Sequence, residues 1–200
     1  MKRGCLIGLV IAGFLVLVAI GIISWGTKVY NGMVTMQESV TSQWGNVQTA
    51  YQRRSDLIPN FVNTVKGAAN FEQTTLTQVI EARAKATSVT IDPTKMTAEN
   101  MQQFQQAQGQ LSSALSRLMV VVEQYPELKA TQNFRDLQVE LEGTENRISV
   151  ERRKFNEVAQ VYNTFIKRFP QKILAGMFGF QEKPYFKATE GAEKAPEVKF

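Results

Sequence analysis

The chain has 200 residues, 44% of them hydrophobic and 20% charged, with a formal net charge of +5. It contains no histidine and a single cysteine, which excludes histidine metal sites, histidine dyads and triads, zinc knuckles and an intrachain disulfide. The mild basic excess is interspersed with acids rather than gathered in runs and does not point to nucleic acid.

The first element is apolar. From Cys5 to Ile23 the sequence carries no charge, and Ser24 and Trp25 follow. A helix of about 20 residues crosses the roughly 30 Å hydrocarbon core of a bilayer, and tryptophan anchors at its interface. A cleaved signal peptide is the rival reading, since Lys2 and Arg3 form a basic start and Ala19-Ile20-Gly21 is a small-x-small site. The run continues past that site with Ile22 and Ile23, which favours an anchor. Cys5 precedes the run instead of following it, so it reads as a small apolar residue and not as a lipidated one. Lys2 and Arg3 before the span, against Lys28 soon after it, favour a cytoplasmic N-terminus and an extracytoplasmic remainder.

Beyond the span the pattern turns helical. Tyr30, Met33, Val40, Trp44, Val47 and Tyr51 form one stripe, which predicts a helix over 30–54. A second helix is predicted over 57–87, with Ser55 as N-cap and Pro59 in its first turn. Asp92-Pro93 marks a loop. A third helix follows with Met101, Phe104, Leu111, Leu115, Leu118, Val122 and Tyr125 on one face, closed by Pro126. In the fourth, Phe134, Leu141, Ile148, Phe155, Tyr162 and Phe169 recur in a strict heptad, ended by Pro170. No segment alternates like a strand. The expected fold is all-α, an N-terminal transmembrane helix followed by an antiparallel four-helix bundle with long helices. Its expected organisation is an anchor over 1–27, a helical domain over 28–187 and a disordered polar tail over 188–200.

Polar residues interrupt the apolar stripes at Arg54, Glu72, Arg83, Thr144 and Glu151. Buried charge is costly unless paired, so these positions predict interhelical ion pairs or hydrogen bonds that fix register. A carboxylate pair such as Glu145 and Glu151 would be the only route to a metal or proton-transfer site, and with no histidine the usual di-metal ligand set cannot be assembled.

Several segments are recognisable together. Arg53-Arg54-Ser55-Asp56-Leu57-Ile58-Pro59-Asn60, Thr64-Val65-Lys66-Gly67, Glu81-Ala82-Arg83, Tyr125-Pro126-Glu127-Leu128-Lys129-Ala130 and Leu141-Glu142-Gly143-Thr144-Glu145-Asn146 resemble the bacterial LemA family. Arg152-Arg153-Lys154-Phe155-Asn156, Val161-Tyr162-Asn163 and Gly179-Phe180 resemble its closing motifs. The likeness runs in order from about residue 30 to 186. Members commonly have tyrosine before the asparagine where this chain has Phe155, and alanine before the tryptophan where it has Gln43. The resemblance implies a membrane helix joined to a helical bundle, and it supplies no catalytic residues.

Three functions follow from these features. The first is a membrane-tethered interaction or scaffold module with no cofactor, whose partners are an envelope or membrane protein or a second copy of the chain. The second is lipid binding or envelope sensing by residues 170–187. There Lys172, Phe178, Phe180, Tyr185 and Phe186, with Trp25 at the end of the span, are membrane-interface candidates. The third, an enzyme built on carboxylates, has the weakest sequence support.

Overall fold

The computed structural model describes residues 3–67 and 72–187, with side chains from Ile7 onward. The expected disordered tail, 188–200, and the side chain of Cys5 lie outside the described residues. The described residues form six α-helices and one short 3-10 turn, with no strand. These are α1 (Arg3–Lys66), α2 (Gln73–Ser88), the 3-10 turn Pro93–Lys95, α3 (Ala98–Val122), α4 (Pro126–Lys129), α5 (Gln132–Lys167) and α6 (Gln171–Phe178). The chain divides into two compact units, one of Met1–Ser39 with Gln160–Glu182, the other of Val40–Ala159 with Lys183–Phe200.

In the first unit, α1 is apolar on every side at its start. Side chains from Ile7 to Trp25 are all exposed, and the helix has a mean hydropathy of 2.8 over its most apolar window, none of which is buried. It is long and apolar enough to cross a membrane. Burial begins at Val29 and Met33. Gly32 faces the Phe165 ring closely, so that a Cβ there would lie 3.4 Å from it. Tyr162 is fully buried, and burial pushes its hydroxyl up to about 12.

In the second unit the apolar stripes of α1, α2, α3 and α5 meet in one core. Leu57, Ile58, Phe61 and Val65 pack with Leu76 and Val79, Leu111, Leu115 and Leu118, and Phe134 and Leu141. Pairings along α1 and α5 run in opposite directions: Trp44 meets Phe155 and Phe61 meets Phe134, with Arg54 bonded to Glu145 between them. The heptad of α5 is buried at Phe134, Leu141, Ile148 and Phe155. Its last predicted member, Phe169, falls beyond the helix end at Lys167 and is exposed. Thr97 and Asn100 form a reciprocal capping box at the start of α3, which satisfies two donors that the first helical turn leaves unpaired. The Asp92 carboxylate accepts from the Thr94 backbone N–H and so caps the 3-10 turn.

The expected boundary between two helices near residue 55 is corrected. Helix α1 runs unbroken through Ser55 and Pro59 to Lys66, and the break falls between Gly67 and Gln73, where glycine just after a last-turn lysine is a stop signal. Glu72 is corrected with it. It is exposed at the N-cap of α2 and not on a core face, because the helical phase does not carry across the break.

Proline inside a helix removes the N–H that would bond the carbonyl four residues earlier, at a cost of about 3 kcal/mol. For Pro59 that carbonyl belongs to Ser55, and the half-buried Arg83 guanidinium donates its Nε–H to it at 2.8 Å. An arginine on α2 therefore supplies the donor that α1 lacks. Arg83→Ala is expected to destabilise the detergent-solubilised full chain by about 1.5–3 kcal/mol in denaturant unfolding, the range for hydrogen bonds to a charged group. The same substitution in a Pro59→Ala background should cost markedly less, because alanine restores the backbone donor that proline lacks; equal costs in the two backgrounds would refute the pairing.

Candidate functional site

Buried and half-buried polar residues of the second unit form three clusters, each tying one element to another. The first centres on Arg54, which is 1% exposed. Its Nη1 donates to Glu145 Oε1 at 2.6 Å and to Ser112 Oγ at 2.9 Å. Its Nη2 donates to Gln108 Oε1 at 2.5 Å, and Gln108 in turn donates its amide to the Ala86 carbonyl at 3.1 Å. The Arg54 guanidinium also lies over the Tyr51 ring, 5.2 Å from its centre, a cation-π contact. Four helices are thus joined through one charge, whose counter-charge on Glu145 is only partly buried.

The second cluster centres on Glu151, 2% exposed on α5. Gln43 of α1 donates its amide to Glu151 Oε2 at 2.7 Å. Arg147 and Lys154 approach Oε1 at 2.9 and 3.4 Å from one turn to either side. The hydrogen bond from Gln43 holds this carboxyl below the ordinary value of 4.5, and Lys154 and Arg147 act in the same direction, against burial, which pushes it up. Thr144, one heptad earlier, is buried and returns its hydroxyl to the Glu140 carbonyl. The two carboxylates weighed as a metal pair serve different cations: Glu145 answers Arg54, and Glu151 answers Arg147 and Lys154.

The third cluster is one that sequence reasoning misses. Asn156 of α5 clamps the backbone of Phe186, accepting its N–H at 2.8 Å and donating to its carbonyl at 2.9 Å. Arg152 lies over the Phe186 ring and donates to the Lys187 carbonyl. The ring packs against Phe155 and stacks on Trp44, whose indole N–H donates to the Ile91 carbonyl at 3.3 Å. Lys183, also buried, donates to the Pro93 carbonyl at 2.9 Å; burial pushes its ammonium pKa down, against a raising influence from Asp92. The sequence signal for this cluster is the Arg152, Phe155 and Asn156 spacing, which puts three residues able to hold an aromatic backbone within about one helical turn.

This corrects one membrane-interface candidate. Phe186 is buried in the aromatic core of the second unit and does not offer its ring to a surface. The expected segment 170–187 is divided: Lys172, Phe178 and Phe180 belong to the first unit with Trp25, and exposed Tyr185 belongs to the second. Trp25, Lys172 and Phe178 are exposed, and Phe180 is half-buried. Among the described residues no cluster of three or more acids and cysteines is arranged to hold a metal.

These features define an all-helical protein with one long apolar N-terminal helix, in which the buried Arg54 and Glu151 are hydrogen-bonded from one helix to another. The chain belongs to the LemA family, whose model matches residues 43–200. It is 28% identical to magnetosome protein MamQ of Magnetospirillum gryphiswaldense over 176 residues, 78% of this chain and 64% of that protein. A MamQ of Paramagnetospirillum magneticum matches at the same 28%, over 174 residues and the same shares of each chain. Protein LemA of Metamycoplasma hominis is 24% identical over 160 residues, 80% of this chain and 69% of that one. The chain therefore spans just under two thirds of the length of the MamQ relatives.

Glu151 gives a pH dependence with a definite sign. Its folded-state value is depressed, so the stability it contributes is fully present above its ordinary value of 4.5 and is lost as pH falls through the lower folded-state value. Glu151→Gln is expected to cost about 1–3 kcal/mol at neutral pH. Thermal melts of the solubilised full chain followed by circular dichroism should show this gap narrowing as the pH is lowered from neutrality to below the ordinary value of 4.5. A gap that stays constant across that window would show that the carboxylate does not gain its charge stabilisation on folding.

Proposed function

We propose that this protein is a single-pass membrane anchor carrying an antiparallel four-helix bundle, and that the bundle is a non-enzymatic scaffold docking a partner protein at the bacterial envelope. The observation that carries the reading is the use made of four buried or half-buried polar groups. Arg54, Glu151, Asn156 and Lys183 are each bonded to another element of the same unit, so the chemistry of the interior goes into rigidity. A rigid bundle on a tether offers fixed grooves at high local concentration.

The favoured groove runs along the outer face of α1 and α5 in the second unit. Asn46, Thr49, Arg53, Glu140, Gly143 and Arg147 line it, with Gly45 and Gln48 continuing it along α1. A Cβ added at Gly45 or Gly143 would meet nothing within 4 Å, so backbone lies open there to a partner helix. Its mixed charges, Arg53 paired to Glu140 at 2.8 Å with Arg147 beyond, fit a partner helix carrying both signs. The N-terminus is cytoplasmic and the bundle extracytoplasmic in this reading, on the placement of Lys2 and Arg3.

Two measurements test it. A photo-crosslinking residue at Gly45 or Gly143, in cells, is expected to give one discrete adduct with another envelope protein, while the same residue at exposed Gln110 on α3 gives none. Adducts only with further copies of this chain, or the same adducts from both faces, would refute the groove. An engineered cysteine at Lys194, in a Cys5→Ser background, is expected to react with a membrane-impermeant thiol reagent in intact cells. Reaction only after permeabilisation would place the bundle in the cytoplasm.

A further inference from the structure

The first unit contains an apolar surface that the scaffold reading does not use. In α6, Ala175 is buried while Ile173, Met177 and Phe178 are 55%, 72% and 55% exposed. Phe169, just before the helix, is 81% exposed. Within α6, Ile173 and Met177 stand four residues apart, the spacing that aligns residues along one face of a helix. Arg168 and Lys172 stand exposed beside them, and Lys167 is paired to Glu182 at 2.6 Å. A contiguous group of large apolar side chains rimmed by cations is unusual on a surface bathed in water and marks an interaction site.

The placement of α6 identifies what covers it. The Tyr30 ring receives Phe178 edge-on at 4.9 Å and Phe180 at 5.7 Å, and all of these residues belong to the first unit. The turn that returns Phe180 to Tyr30 depends on Gly179, whose φ of 75° lies in the left-handed region and whose place as the C-cap of α6 ends the helix. Tyr30 lies five residues beyond Trp25 on the same uninterrupted helix. At ~1.5 Å per residue this is roughly 7–8 Å past the end of the apolar run. The headgroup layer on each side of a bilayer is about 5–8 Å deep. The exposed face of α6 is therefore held at the level where α1 passes through lipid headgroups.

We infer that α6 is an interfacial helix that lies in the headgroup layer of the bilayer crossed by α1, with Phe169, Ile173 and Met177 inserted at the acyl boundary and Arg168 and Lys172 against lipid phosphates. This rests on α1 spanning the membrane and is independent of the scaffold groove. An amphipathic segment with cations on its flank binds such a surface through buried apolar area together with attraction to anionic lipid. The segment would fix the tilt and rotation of α1 as it leaves the membrane, since interfacial anchors set both.

The test uses the full chain in a Cys5→Ser background, reconstituted into vesicles of phosphatidylcholine and phosphatidylglycerol. Spin labels are placed singly at Leu17 in the apolar run, at Met177 on α6, and at Val139, an exposed position on α5 in the second unit. Accessibility to oxygen, which concentrates in lipid, is compared with accessibility to a water-soluble nickel chelate. The expected result is an oxygen-to-nickel ratio at Met177 several-fold above that at Val139 and below that at Leu17. A Met177 ratio equal to Val139 while Leu17 remains lipid-like would overturn the inference and leave the anchor intact. Water-like ratios at both Met177 and Leu17 would overturn the anchor and the inference with it. Spin–spin broadening at Met177 that disappears on dilution with unlabelled chain would show a second copy covering α6, and would also overturn it.

Discussion

The fold of the second unit depends on a guanidinium kept dry. Arg54 is buried to 1% exposure, and transferring a charge into such a place costs several kcal/mol unless donors and counter-charge compensate it. Compensation comes from α3 through Gln108 and Ser112 and from α5 through Glu145, and Gln108 reaches on to the Ala86 carbonyl of α2. None of these partners can be met if a helix slides by one turn. Apolar contacts alone leave such slippage cheap, because Leu, Val and Phe exchange neighbours with little penalty, whereas a planar, five-donor group does not. Arg54 thus selects one register among the several that the apolar stripes permit. Glu151 repeats the device farther along α5, where Gln43 reaches from α1 to its carboxylate.

A similar economy governs α1 itself. Pro59 would be expected to break or bend the helix, yet the helix continues to Lys66 because the carbonyl deprived of its partner is satisfied from another element. The continuity of α1 is therefore a tertiary property. Several of the segments that resemble LemA motifs become intelligible on this basis: Arg54 and Ser55 in one, Arg83 in another, Glu145 in a third, and Arg152, Phe155 and Asn156 in a fourth each take part in a tie between elements. The motifs describe how the helices are locked.

What can be read from the sequence follows the same division. Helical class and the α5 stripe depend on periodicity and the apolar start of α1 on an unbroken uncharged run, both of which are local, and these are legible. The α3 face from Met101 to Val122 is legible for the same reason, whereas the Thr97–Asn100 capping box at its start goes unread. The boundary between the first two helices is not legible, since Ser55 and Pro59 satisfy the local rules for a helix start and only the distant Arg83 cancels them. Glu72 is misplaced by periodicity for the same reason, because its phase is carried across a break. Phe186 reads as a membrane aromatic because composition near a basic segment cannot distinguish a ring facing lipid from one held by Asn156 and stacked on Trp44. Arg54 stands out by its place on an apolar face, but the identity of its partners is not accessible, because Gln108 and Ser112 carry no pattern that separates them from the other polar residues of α3.

One helix presents two environments in succession, and the change between them is abrupt. From Ile7 to Trp25 every side chain of α1 is exposed although nearly all are apolar, and from Val29 onward burial follows one face through Met33, Val40, Trp44, Val47, Arg54, Ile58 and Phe61. A helix apolar on all sides is matched to a solvent that is itself apolar, while a one-sided stripe is matched to a protein core with water behind it. The switch marks, within about one turn, where a helix apolar on all sides gives way to one packed by a single face on the rest of the chain. Tyr30 stands at that switch, and its ring is where α6 is attached. The same few residues at which the sequence stops being uniformly apolar are those at which the chain returns to cover the helix, so the end of the apolar run and the contacts of Tyr30 with Phe178 and Phe180 coincide with one local change in composition.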